Sequence, residues 1–150
     1  MAVIYNSSSN TLISGTSGHD SIFNKSPGLG YKYEGNNVTI ETYKGSDTIE
    51  NYYGDSVSID TGTDNDYVLN NNGNNITIIS GKGNDTVYNY GCYTSGYREG
   101  YHGSSISIYS GTGDDYIANE GGSSVTIDAG AGNDTINSRN SNNVTINTGE

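Results

Sequence analysis

The chain has 150 residues, of which 31% are hydrophobic, with 14 Tyr, one Phe, one Pro and no Trp, and its 17 Asp and Glu against 6 Lys and Arg give a net charge of −11. This composition excludes an ordinary core of large side chains and lies near the disordered class. The acidic balance excludes nucleic acid and anionic membrane as partners, because phosphate recognition needs a basic face, and favours cations.

The chain opens on Met1-Ala2-Val3-Ile4-Tyr5-Asn6, with no charged segment followed by an apolar run, and no stretch is long and apolar enough to span a bilayer. No N-terminal export signal and no membrane span are therefore expected. The first turn-like run, Gly15-Thr-Ser-Gly-His-Asp20, precedes Ile22 and Asn24, and a polar and aromatic stretch near 25–35 follows. Val38-Thr-Ile40 alternates apolar, polar, apolar, as a short half-buried strand does. The same triplet recurs from Val57, Ile76, Ile106, Val125 and Val144, at steps of 19, 19, 30, 19 and 19. A row of aspartates, Asp20, Asp47, Asp66, Asp85, Asp115 and Asp134, steps by 27, 19, 19, 30 and 19.

Two residue classes that keep one period, and break it together, define a 19-residue repeat with insertions of 8 and 11 residues near 25–35 and 90–103. Its unit, best seen from Val125 to Asn143, is two short strands and two corners. Stacked coils pair each strand with its copy, so the predicted fold is all-β: a right-handed parallel β-solenoid of six to seven coils filling 1–150 as a single domain. Three inward aliphatic ladders are expected. Val38, Val57, Ile76, Ile106, Val125 and Val144 form the first; Ile40, Ile59, Ile78, Ile108, Ile127 and Ile146 the second; Ile22, Ile49, Val68, Val87, Ile117 and Ile136 the third. Asn24, Asn51, Asn70, Asn89 and Asn119 recur at one corner and are expected to stack as an amide ladder. Thr39, Ser58, Thr77, Ser107, Thr126 and Thr145 face outward.

Three aliphatic side chains per coil bury too little surface to order 19 residues alone, so a further source of cohesion is expected at the Gly-x-Gly-x-Asp corner. Glycines at Gly62, Gly81, Gly83, Gly111, Gly113, Gly130 and Gly132 let carbonyls turn toward one point, and the following Asp adds a carboxylate. Such hard oxygen donors suit calcium, which takes six to eight ligands; two stacked corners can supply them where one cannot. Turn formation alone would also favour Asp here, but six unscreened carboxylates about 5 Å apart would repel one another, and calcium is the stronger reading.

Gly62-Thr-Asp-Asn-Asp-Tyr-Val68, Gly81-Lys-Gly-Asn-Asp-Thr-Val87, Gly111-Thr-Gly-Asp-Asp-Tyr-Ile117 and Gly130-Ala-Gly-Asn-Asp-Thr-Ile136 resemble the RTX, or haemolysin-type, calcium-binding nonapeptide. The resemblance implies a β-roll with calcium between coils, export by a one-step secretion machine, and folding outside the cell. Carried over by position, the ligands are the loop glycines and Asp66, Asp85, Asp115 and Asp134, with Asp47 and Asp64 as further candidates. The second corner lacks the motif Asp, which implies one row of ions, about five for six loops. This one-sided 19-residue form is similar to repeat regions of giant secreted adhesins. Lys44 and His19 make the first two loops irregular.

The leading functional reading is a calcium-binding, structural or adhesive module of a secreted or cell-surface protein, part of a longer chain and not an enzyme: His19 and His102 are far apart, and no nucleophile and base can be paired. An ice-binding module is an alternative, weakened by Lys82 and Ala131 breaking the row of Thr63 and Thr112. A non-catalytic module of a secreted hydrolase is another. Tyr67, Tyr88, Tyr109 and Tyr116 read as outward strand formers. The insertions concentrate Tyr31, Tyr33, Tyr90, Tyr93, Tyr97 and Tyr101. Of these, Tyr31, Tyr33, Tyr93, Tyr97 and Tyr101 are expected to form, with Arg98, an exposed patch for a surface carbohydrate or protein.

Overall fold

The structure, a computed structural model, describes residues 1–25, 35–91 and 104–149. It is all-β, with strands β1 (Val3–Asn6), β2 (Thr11–Ser14), β3 (Ser21–Asn24), β4 (Val38–Glu41), β5 (Thr48–Tyr52), β6 (Val57–Asp60), β7 (Tyr67–Asn71), β8 (Ile76–Ile79), β9 (Thr86–Tyr90), β10 (Ser104–Tyr109), β11 (Tyr116–Glu120), β12 (Ser123–Asp128), β13 (Thr135–Arg139) and β14 (Asn142–Asn147). Odd-numbered strands form one seven-stranded parallel sheet and even-numbered strands the other, each in chain order. Successive strands thus alternate between two sheets, as a parallel solenoid of seven coils requires.

Register follows the repeat. Val38 pairs with Val57, Ile40 with Ile59, Ile106 with Val125 and Ile108 with Ile127. On the other sheet Ile49 pairs with Val68, Val68 with Val87 and Ile117 with Ile136. The three predicted ladders form the core: their members from Ile22 to Ile127 are almost fully buried, and Ile136 and Val144 pack against it at its end. Ile146, expected to face inward, is 46% exposed in the last coil, which no further coil covers among the described residues. One coil precedes the first Asp loop. Ile4 continues the ladder above Ile22, and Ile13 the one above Ile40. Among the described residues there is no helix, and so none long and apolar enough to cross a membrane.

The Asn ladder is present and longer than expected. Asn6, Asn24, Asn51, Asn70 and Asn89 each donate their side-chain amide to the carbonyl of the next Asn, at 2.6–2.8 Å, and all are buried. Asn119 ends the row on the hydroxyls of Ser138 and Ser141. Replacing Asn70 by Ala strands the Asn51 donor and the Asn89 acceptor in the interior. The expected loss is about 2 kcal/mol, read as a fall in the denaturant midpoint.

The second corner also holds a device that composition hides. Asn37, Ser56, Asn75, Ser105, Ser124 and Asn143, each one residue before the triplet, have φ between 51° and 59°. Asn and Ser tolerate this left-handed turn better than branched side chains do.

The two insertions fall between β3 and β4 and between β9 and β10. The expectations for Tyr31, Tyr33, Tyr93, Tyr97, Arg98 and Tyr101 lie outside the described residues.

Candidate metal centre

The first corner joins each even-numbered strand to the next odd-numbered one. Its coils bond directly: Lys44, Thr63, Lys82, Thr112 and Ala131 form successive parallel bridges, a third ladder between the two sheets. Gly62, Gly81 and Gly111 accept the N–H groups of Lys82, Thr112 and Ala131 at 3.0, 2.9 and 2.8 Å. A Cβ at Gly81 would stand 2.2 Å from the Gly62 carbonyl oxygen, and one at Gly111 2.0 Å from that of Gly81. Glycine is required there by close approach as well as by φ near 95°.

Tyr43 occupies the same corner position at φ 70°, and Asp64 takes the place of Gly83 at φ 82°. Side chains in this region cost roughly 1–2 kcal/mol. Tyr43 is exposed, its hydroxyl bonded to Glu41 at 3.1 Å. Tyr43→Gly is therefore expected to stabilise the fold, by about 0.5–1 kcal/mol once the entropy of the added glycine is subtracted. Thermal melting checks it.

The motif aspartates turn inward. Asp47, Asp66, Asp85 and Asp115 are no more than 3% exposed. Each Asp N–H from Asp20 onward donates to Oδ1 of the next Asp along the axis: Asp20 to Asp47, Asp47 to Asp66, Asp66 to Asp85, Asp85 to Asp115 and Asp115 to Asp134, at 2.6–2.9 Å. The second carboxylate oxygen, Oδ2, is buried and has no hydrogen-bond partner at Asp47, Asp66, Asp85, Asp115 and Asp134. Beside this row runs a row of buried hydroxyls, Thr42, Thr61, Ser80 and Ser110. Each donates to the backbone carbonyl of its counterpart in the next coil, the last to Ala129.

Four buried carboxylates and the half-buried Asp134, each with a buried, orphaned oxygen, are costly when charged. Burial accordingly pushes the Asp66 carboxyl up to about 7 and that of Asp85 up to about 6, and raises those of Asp47 and Asp115. It does so against the lowering effect of the adjacent Thr61, Ser80, Thr42 and Ser110 hydroxyls and of the Asp N–H bonds; neighbouring carboxylates add a smaller rise. Asp20 behaves otherwise. Its Oδ2 accepts from the Thr16 N–H and its Oδ1 from the Ala2 N–H, both at 2.5 Å, and these bonds outweigh desolvation to hold its carboxyl below the usual range. The row of orphaned oxygens thus starts at Asp47.

The residues fit a hard divalent cation. The unpaired oxygens form a column, the donors are all oxygens, and the glycine carbonyls of the corner add to them. Gly62, Gly81 and Gly111 keep a second lone pair after their inter-coil bond, and the Gly83 and Gly113 carbonyls accept no bond in the corner ladder. Among the described residues no three His, Cys, Asp or Glu side chains gather at one point, so backbone oxygens would have to complete any coordination sphere. Gly130 and Gly132 repeat the arrangement at the last full corner, their missing Cβ atoms facing the Gly111 and Gly113 carbonyls. Asp64 stands apart. It is exposed, and its Oδ2 accepts the Gly45 N–H at 3.1 Å, so it belongs to the outside of the corner. The exposed residues Asn65, Asn84, Asp114 and Asn133 form an outer Asx row bonded in the opposite direction, each backbone N–H from Asn84 onward donating to the preceding side chain at 2.8–3.0 Å.

Sequence reasoning missed the hydroxyl row and the opposed polarity of the two Asx rows. The hydroxyl row was readable as Thr42, Thr61, Ser80 and Ser110, each five residues before its Asp. No protein-family model, curated protein or solved structure matches this chain.

Proposed function

We propose that the chain is a calcium-binding β-roll module of the RTX kind, serving a secreted or cell-surface protein as a structural or adhesive element without catalysis of its own. The column of five orphaned, buried Oδ2 atoms from Asp47 to Asp134 carries this reading. Such oxygens need a proton or a cation, and in an outward-growing stack of corners a divalent ion supplies charge and cohesion between coils together. Asp47, Asp66, Asp85, Asp115 and Asp134 provide carboxylate oxygens, and Gly62, Gly81, Gly83, Gly111, Gly113, Gly130 and Gly132 backbone ones.

Calcium titration by isothermal calorimetry is the test. Five such aspartates enclose four gaps, so four ions per chain are expected rather than the five that six loops suggest, because Asp20 is already satisfied by Thr16 and Ala2. Dissociation constants should be roughly 10⁻⁴ to 10⁻³ M. Absence of binding heat, together with an unchanged melting temperature in millimolar calcium, would refute the proposal.

A further inference from the structure

The outer face of the first sheet carries a cluster that neither the core nor the calcium corner uses. Tyr88 in β9 lies 5.8 Å, centroid to centroid, from Tyr67 in β7 and from Tyr116 in β11, and 6.0 Å from Tyr90 in its own strand. The Tyr88 and Tyr90 rings are nearly parallel, at 12°. Tyr90 and Tyr116 remain more than a third exposed. Across the three strands the register sets Thr86 between Tyr67 and Tyr116, and Ala118 beside Tyr88, so short side chains stand between the rings.

Strand propensity explains single tyrosines but not three converging on a fourth. The corresponding row on the other sheet is Ser and Thr, with Tyr109 at its margin. Charge narrows what the cluster could meet. Although the chain carries −11, the four rings, Thr86 and Ala118 bear no charge. Glu50 lies diagonal to the patch beside Leu69, and Glu120, at its other edge, is paired with Arg139 at 2.8 Å. Nucleobases also stack on such rings, but their phosphates would meet an acidic surface with no free cation among the described residues of the patch; an anionic polysaccharide meets the same repulsion.

We propose that the Tyr67, Tyr88, Tyr90 and Tyr116 cluster is a binding face for a neutral polysaccharide, whose apolar C–H faces lie on the rings while the phenol hydroxyls and the Glu50 carboxylate bond its hydroxyls. The three strands span about 10 Å along the solenoid axis by the usual inter-strand spacing, room for a short stretch of sugar units in register with the coils. The face is built on sheet backbone and does not depend on the identity of the ion at the corner.

Native affinity electrophoresis of the full chain in calcium buffer tests it, in gels containing β-glucan, xylan or galactomannan as neutral probes and alginate as the anionic one. Retardation by at least one neutral polysaccharide is expected, with alginate ineffective. Tyr88→Ala should weaken retardation at least tenfold, Tyr88→Phe should largely keep it, and Tyr109→Ala on the opposite sheet should leave it unchanged. Strand circular dichroism accompanies each variant. If Tyr88→Ala misfolds, the more exposed Tyr90→Ala and Tyr116→Ala serve in its place. No retardation by any neutral probe, retardation indifferent to these tyrosines, or stronger retardation by alginate would overturn the assignment, and none of these results bears on calcium binding by calorimetry.

Discussion

Removal of calcium should cost the fold about 6 kcal/mol. Four sites that bind the folded chain and not the unfolded one, each at a calcium concentration ten times its dissociation constant, contribute roughly 1.4 kcal/mol apiece by mass action. That is a large share of the total stability of a domain this size. The expected result in calcium-free buffer is a fall in melting temperature of tens of degrees, or loss of the strand spectrum at room temperature, reversed by adding calcium but not by equimolar magnesium, which demands an octahedral site and dehydrates reluctantly. Position matters. Asp85 and Asp115 each border two gaps, whereas Asp134 borders one within the described chain. Asp85→Asn should therefore lower calcium stoichiometry by up to two, Asp134→Asn by one, and Asp20→Asn by none, since the Asp20 carboxylate is already held by Thr16 and Ala2. Equal losses at all three positions would contradict the column of shared ions.

The repeat made most of this architecture readable because each coil has one environment per position. An apolar residue every 19 places can only be a ladder, and the ladders from Val38 to Ile127 pair in the structure as the period predicts. The Asn row was equally legible, since a buried amide that recurs must bond its own copies. The first coil was not. At the place where later coils carry Asp it has Ala2, whose backbone N–H nonetheless donates to Asp20 as an Asp N–H would. Its β2 reads Thr-Leu-Ile, with Leu12 64% exposed in the outward position and a polar residue where Val belongs. Period-based reading needs the residue types, while the backbone needs only its partners. The corner was legible in composition and not in direction. Gly and Asp at fixed spacing announced oxygen donors. That Asp64 would face outward while Asp66 faced inward, two residues apart, depends on how the tight turn at φ 82° rotates the chain.

Acidification should stabilise the calcium-free chain and destabilise the calcium-loaded one. In the folded state the carboxyls of Asp66 and Asp85 titrate near 7 and 6, raised from 3.8 chiefly by burial. Asp47 and Asp115 shift the same way for the same first cause. Between pH 4 and pH 7 the folded chain thus holds more protons than the unfolded one. Stability from this source is complete below pH 4 and is lost as pH rises through 6 and 7. Solvent screening and protons shared along a row of interacting carboxylates bring the expected loss to a few kcal/mol at most, on the order of 2–3. Calcium reverses the slope, because the ion competes with the proton for the same orphaned Oδ2 atoms and binds only the ionised form. Thermal melts from pH 4 to pH 8, with and without calcium, should give curves that cross. Asp66→Asn makes the test sharper: its amide oxygen still accepts the Asp47 N–H, yet it carries no charge at any pH. The variant should melt higher than the parent at pH 8 without calcium and lower than the parent with it. A variant that melts lower in both buffers would mean that the Asp66 carboxylate is satisfied within the protein itself, and that neither proton nor ion is needed there.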